Sequence, residues 1–235
     1  MSILNSWWQD VVALLFPPTC GVCGVPLVRG ERTVCTLCRV TAPLTGYPQQ
    51  AENPVLERFA GVVPVERASA FLFFRHGGGW RRLIHDFKYR SRWRTARDLG
   101  HWYGAALNDS GLYASVDAVV PLPLHPLKRL LRGYNQSEYL AEGIAAELGI
   151  PVERKGLRRR RHTASQTRKA YRDRAANVAG AFAVTDPARF AGRHILLVDD
   201  VLTTGSTLAA AAEAILAAAP DCRISIAALA VAGRH

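Results

Sequence analysis

Residues 194–208 read His-Ile-Leu-Leu-Val-Asp-Asp-Val-Leu-Thr-Thr-Gly-Ser-Thr-Leu, an order that few folds accommodate. Ile195 to Val198 form an unbroken apolar run, the pattern of a parallel strand covered on both faces. Asp199 and Asp200 stand where that strand is expected to end. Val201 and Leu202 lead into a hydroxyl-rich loop, Thr203, Thr204, Gly205, Ser206 and Thr207, and the Ala-rich tract 208–219 has high helix propensity. A loop that opens a helix gathers unpaired N–H groups, and the helix dipole adds attraction for an anion. Gly205 permits a backbone conformation and a close approach that a side chain would forbid. Two acids beside such a cradle can accept hydrogen bonds from vicinal sugar hydroxyls. Together they describe a ribose 5-phosphate site, with the diol at Asp199 and Asp200 and the phosphate at Thr203 to Thr207. The plain alternative is a strand end whose acids only cap the turn. No Lys follows the glycine, so a nucleoside-triphosphatase loop is excluded.

A chain of 235 residues can hold one α/β domain and a small appendage. Its net charge of +11 points to an anionic partner: a phosphorylated metabolite, nucleic acid or a membrane surface. No Lys or Arg precedes Arg29, and the apolar residues 11–16 run into Pro17-Pro18, so no secretory signal is read. No apolar stretch has membrane-spanning length, so stable membrane insertion is not expected and the setting reads as cytoplasmic.

Residues 3–16 have helical apolar spacing up to Pro17. Cys20-x-x-Cys23 and Cys35-x-x-Cys38 follow, with eleven residues between the pairs. Two such knuckles suit tetrahedral zinc, and four thiolates close the site, which makes its role structural. A redox pair or two disulfides compete with this reading; the duplicated motif and cytoplasmic setting disfavour both. Residues 41–61, rich in Pro and Gly, read as a linker. A strand is expected over 68–74, an amphipathic helix over 80–88 and a further helix over 95–107. Residues 117–124 read as a strand ending in a proline-shaped loop, 128–136 as the basic loop that follows it, and Asn135 to Leu148 as a helix stopped by Gly149. That second strand–loop–helix crossover would place Arg132, Asn135 and Gln136 at the carboxyl edge of a parallel sheet, able to hold pyrophosphate oxygens; a solvated basic turn is the alternative. Residues 154–174 carry ten Lys or Arg against one acid and read as a loop able to fold over a polyanion. Strands are expected over 181–184 and 223–231. The basic tracts 75–97 and 154–174 hold Tyr89, Trp93 and Tyr171, which could stack on bases of a single strand.

The 198–207 run resembles the signature for phosphoribosyl pyrophosphate (PRPP) in type I phosphoribosyltransferases. The double Cys-x-x-Cys start, Phe87-Lys88-Tyr89, Val120-Pro-Leu-Pro-Leu124, Arg132-Gly-Tyr-Asn-Gln136, Thr163-Ala-Ser-Gln166 and Arg174-Ala-Ala-Asn177 then follow the order of the ComF (GntX-like) family over nearly the whole chain. The tyrosine at 134 stands where phenylalanine is commoner. The resemblance implies an α/β, type I phosphoribosyltransferase fold, an open, mostly parallel twisted sheet with helices on both faces, preceded by a zinc ribbon. The division would be 1–40 for helix and ribbon, 41–67 for a linker and 68–235 for the domain. It implies PRPP binding by Val198 to Thr207 with Arg132, Asn135, Gln136 and Lys88. A closing loop would contain Arg161, Thr163, Gln166, Arg168, Lys169, Arg174 and Asn177. For some members it implies a role in natural competence, beside single-stranded DNA and a helicase-like partner.

Two functions are therefore expected. In the first, a phosphoribosyltransferase, Asp199 and Asp200 are the catalytic pair and Mg²⁺ arrives with PRPP. In the second, a binding protein for DNA uptake, PRPP serves as a ligand only.

Overall fold

The computed structural model describes residues 17–74, 78–89, 93–160 and 180–232, of which 87–89 and 128 are described by backbone alone. The helix expected over 3–16 and the loop residues Arg161, Thr163, Gln166, Arg168, Lys169, Arg174 and Asn177 lie outside the described residues.

After the cysteine knuckles and a short helix α1 (Thr36–Val40), the elements are β1 (Arg67–Phe74), α2 (Gly79–Tyr89), α3 (Trp93–Ser110), β2 (Ala118–Pro121), α4 (Pro126–Arg132) and α5 (Gln136–Leu148). Then come β3 (Leu157–Arg159), β4 (Phe182–Val184), β5 (His194–Leu202), α6 (Ser206–Ala218) and β6 (Arg223–Ala232). Four strands pair in the order β1-β6-β5-β2, every neighbour parallel. β3 and β4 form a separate antiparallel pair.

The unbroken apolar run of β5 has the physical cause expected of it. Ile195 and Leu197 enter one buried cluster, with Leu208, Ala212 and Ile215 of α6. Leu196 and Val198 enter the other, with Leu99, Tyr103 and Leu107 of α3 and Leu140 and Ile144 of α5. A strand with helices on both faces needs apolar residues at every position.

α3 and α5 pack through glycines. A Cβ on Gly143 would overlap Arg97 O and lie 2.5 Å from His101 N; one on Gly104 would lie 2.8 Å from Ile144 Cα. The backbones therefore touch, and α5 is held rigidly over β2 and β5.

Three departures from the sequence reading are informative. The tract expected as a linker is packed: Tyr47–Gln49 and Leu56–Arg58 form 3-10 turns, and Val55, Phe59 and Val63 are buried in the α6-side core. Proline and glycine here shape a wrapped segment, not a tether. The basic loop expected over 128–136 contains most of a helix, α4. Pro126 is pre-organised for its first turn, the His125 ring accepts from Leu127 N at 3.3 Å, and Gly133 closes it at φ 78°. Third, β5 continues through the acid pair to Leu202, because Asp199, Val201 and Leu202 stay in register with Ala228, Ala230 and Val231 of β6.

At the opposite end of β5, buried His194 bonds Ser115 Oγ at 3.0 Å and Ser225 Oγ at 2.9 Å. Burial, with Arg223 nearby, holds its imidazole below the ordinary value. The unfolded chain thus takes up a proton near pH 6.5 that the folded protein resists. Its contribution to stability is complete above about pH 6.5 and declines as pH falls below it. In a melting series across that range, His194→Gln is expected to flatten the decline.

Candidate functional site: an acid pair beside a helix N-terminus

The site lies at the carboxyl edge of the sheet, where β5 delivers two carboxylates and α5 delivers two groups that hold them. Gln136 Nε2 donates to Asp200 Oδ2 at 3.0 Å, and Ser137 Oγ donates to Asp199 Oδ1 at 3.2 Å. Asp200 N also donates to Asp199 Oδ1 at 2.9 Å. Asp200 is only 6% exposed, and a carboxylate buried this far needs such partners. Both holding residues sit in the first turn of α5, where the helix dipole favours negative charge. Gln136 Oε1 is buried with no hydrogen-bond partner among the described residues, so the cluster retains an unused acceptor.

Beyond the acids the chain turns into α6 at Gly205, φ 86°. A Cβ there would also approach the Phe59 ring at 3.2 Å. No side chain caps α6. Ser206 N donates to Thr204 Oγ1 at 3.4 Å, and the N–H groups that follow in the first turn can meet an incoming anion. Thr204 Oγ1 and Ser206 Oγ lie 3.0 Å apart beside them. Arg58, from the wrapped segment, donates to Thr203 O and, at 3.3 Å, to Ala232 O, pinning the loop to the end of β6.

The expected residues are thus distributed unevenly. Val198 and Leu202 are fully buried, so their offer to a ligand is backbone only. Asn135, expected at pyrophosphate oxygens, is buried and locally engaged: Nδ2 donates to Leu122 O at 3.1 Å and Oδ1 accepts from Ser137 N at 3.2 Å, capping α5. Gln136 faces the acid pair. Arg132 ends α4, half-buried. Lys88 is the penultimate residue of α2, its side chain outside the described residues. Trp93, expected to stack on bases, is half-buried with its ring 5.2 Å from that of Tyr139.

Three contributors were missed, and a fourth, Arg159, was expected only within the basic loop 154–174. Ser137 and Arg58 carry no motif signal. Phe59 was hidden in a supposed linker. Arg159 ends β3; burial draws its guanidinium below the ordinary value, and the field of Asp199 opposes this. Only folding puts that cation near the acid pair.

Cys20, Cys23, Cys35 and Cys38 form a second site, their Sγ atoms all within 4.8 Å of one another. Cys23 and Cys35 Sγ are 3.7 Å apart. A tetrahedral edge built on metal–sulfur bonds of about 2.3 Å is about 3.8 Å, so the donor set and spacing fit a metal ion. Burial raises the Cys20 thiol, but N–H groups of Cys23, Cys35 and Val22 outweigh it and bring it to about 6. The knuckles dock on the main domain. Thr33 Oγ1 donates to Asp98 Oδ2 at 2.6 Å, and a Cβ on Gly79 would lie 2.7 Å from Val22 C. Cys222, far downstream, is a buried thiol pushed up to about 11 by burial.

Residues 135–235 match the phosphoribosyl transferase domain family. DNA utilization protein YhgH of Salmonella typhimurium is 30% identical over 227 residues, covering 86% of this chain and 92% of that protein. The chain belongs to the ComF/YhgH family of phosphoribosyltransferase-domain proteins. Competence protein F of Haemophilus influenzae is 33% identical over 130 residues, which span 54% of this chain and 57% of that protein. Among solved structures, the glutamine PRPP amidotransferase from B. subtilis aligns with TM-score 0.41 and 19% identity over 62% of this chain and 30% of its own. This member of the family has the α/β phosphoribosyltransferase-like architecture, its parallel sheet flanked by helices and preceded by the four-cysteine cluster. No helix of the described residues is long and apolar enough to cross a membrane.

Proposed function

We propose that the protein binds PRPP with Mg²⁺ at the edge of β5 and transfers its 5-phosphoribosyl group to an acceptor. The observation that carries this reading is the held acid pair followed directly by an uncapped helix N-terminus. In it, Asp199 and Asp200 accept from the ribose hydroxyls, and residues 203–207 bind the 5-phosphate through N–H and hydroxyl groups. Breaking the bond from C1 to pyrophosphate builds positive charge on the sugar ring, which the two carboxylates offset from fixed positions. In this scheme Arg132, Arg159 and Lys88 would bind the pyrophosphate, together with the tract around Arg161 to Lys169. Asp200 and the unused Gln136 Oε1 are hard oxygen donors of the type Mg²⁺ accepts, and Mg²⁺ bound with PRPP would supply charge neutralisation of the leaving pyrophosphate. The test is pyrophosphate release from PRPP, assayed across purines, pyrimidines and orotate. Release dependent on one acceptor and on Asp199 supports transfer.

The names of the relatives favour a second reading, in which PRPP is a ligand and the output is DNA handling. The net charge of +11 suits a single strand, and a helicase-like partner in the cytoplasm would fit that role. PRPP binding without pyrophosphate release, together with salt-sensitive oligonucleotide binding, selects it.

In both readings the four cysteines hold structural zinc. Cys38→Ser, or chelation, is expected to remove one zinc per chain and lower Tm by about 5 °C or more, because the knuckles are docked on α2 and α3. Zinc content by elemental analysis, paired with thermal melting, checks this.

A further inference from the structure

Helix α4 turns its apolar face to solvent. Leu127, Leu130 and Leu131 fall on one face at i, i+3 and i+4, the spacing that normally turns toward a core. Here they are 57%, 81% and 85% exposed, while Arg132 is half-buried. Exposed apolar residues scattered singly need no explanation, but three on one short helix form a patch.

The patch adjoins a cationic cleft of about 630 Å³ between α4, residues 154–159 and residues 185–189. Arg129, Arg154, Lys155, Arg158, Arg159 and Arg189 line it. Arg129, Arg154 and Arg189 pair with Glu138, Glu142, Glu153 and Asp186. Lys155 and Arg158 are exposed and make no ion pair among the described residues.

We propose that this face is a docking surface for an acidic segment of a partner protein that also carries large apolar side chains. Charge complementarity selects an acidic occupant. A phosphodiester strand would match the cations but would leave the three leucines facing water. A second copy of this chain, at +11, would set two cationic rims against each other across a two-fold contact. The tract 161–179 has five Lys or Arg against Asp173, so it too has the sign of the rim. An acidic peptide with apolar anchors satisfies both halves of the surface. The cleft shares Arg159 with the pyrophosphate side of the PRPP reading, but the proposal rests on the leucines of α4 with Lys155 and Arg158, which that reading does not use.

The test uses a dodecapeptide phage library panned on the full-length protein, with counter-selection on the Leu130→Ser/Leu131→Ser variant. Enriched peptides should combine Asp or Glu with Leu, Phe or Trp. Their synthetic forms should bind at least about tenfold more weakly to the leucine variant and to Lys155→Glu/Arg158→Glu. All four positions are exposed, so Tm should not change. Peptides without acids, equal binding to the leucine variant, or no enrichment would overturn the proposal. So would a leucine-dependent dimer in sedimentation velocity, or oligothymidine binding that the leucine variant loses.

Discussion

Asp200→Asn is expected to reduce PRPP-dependent thermal stabilisation while leaving the melting temperature of the free protein nearly unchanged. The two effects separate because of Gln136. Its amide N–H now serves the Asp200 carboxylate, and its Oε1 lacks a partner among the described residues. An asparagine at 200 brings its own N–H₂, and rotation of either amide restores a donor–acceptor pair. The fold therefore keeps its hydrogen bond. The ligand, by contrast, exchanges an ionised acceptor for a neutral one. Hydrogen bonds to a charged group contribute about 1.5–3 kcal/mol, so PRPP affinity should fall roughly 10- to 100-fold. Titration calorimetry with PRPP and MgCl₂ measures it. Unchanged affinity in both Asp199→Asn and Asp200→Asn would remove the acid pair from the ligand site.

Gly143→Val should have the largest effect on stability. The new side chain would have to occupy space already held by Arg97 O, by His101 N at 2.5 Å and by Gly100 C at 2.7 Å. All three are backbone atoms of α3, which cannot move aside as a flexible side chain can. The helices must separate, and overpacking of this kind costs about 3 kcal/mol or more. For a chain of this size that is a fall in Tm of about 6–12 °C. Separation would also shift α5, whose first turn carries Gln136 and Ser137, so PRPP binding should weaken although residue 143 is two turns away. Melting within about 1 °C of the parent would show that the two helices need not touch.

The recognisable parts of the site were those built from contiguous residues. Strand, acids, hydroxyl loop and helix follow each other in 194–219, and each has a local physical signature. The two cysteine pairs were legible for the same reason, since each knuckle is closed over four residues. Asn135 marks the limit. Its type suggested a ligand contact, yet in the structure it caps α5 and ties down Leu122. Cap and contact residues look alike in sequence, because the same short amide suits both. Residues 41–61 looked like a linker because their structure is 3-10 turns and wrapped coil, which have no period to detect.

By itself, then, the sequence determined the α/β class, the order of β5, acid pair, hydroxyl-rich loop and α6, and the four-thiol cluster. Local patterning is sufficient for these. Tertiary structure alone decided that Gln136 and Ser137 hold the two carboxylates, that Arg58 and Phe59 brace the loop, and that Arg159 lies in the field of Asp199. It also decided that the leucines of α4 face water. The side-chain pairs among these relations join residues 40 to 146 positions apart. They depend on the parallel order of β1-β6-β5-β2 and on the glycine contact of α3 with α5, neither of which leaves a periodic trace in the chain.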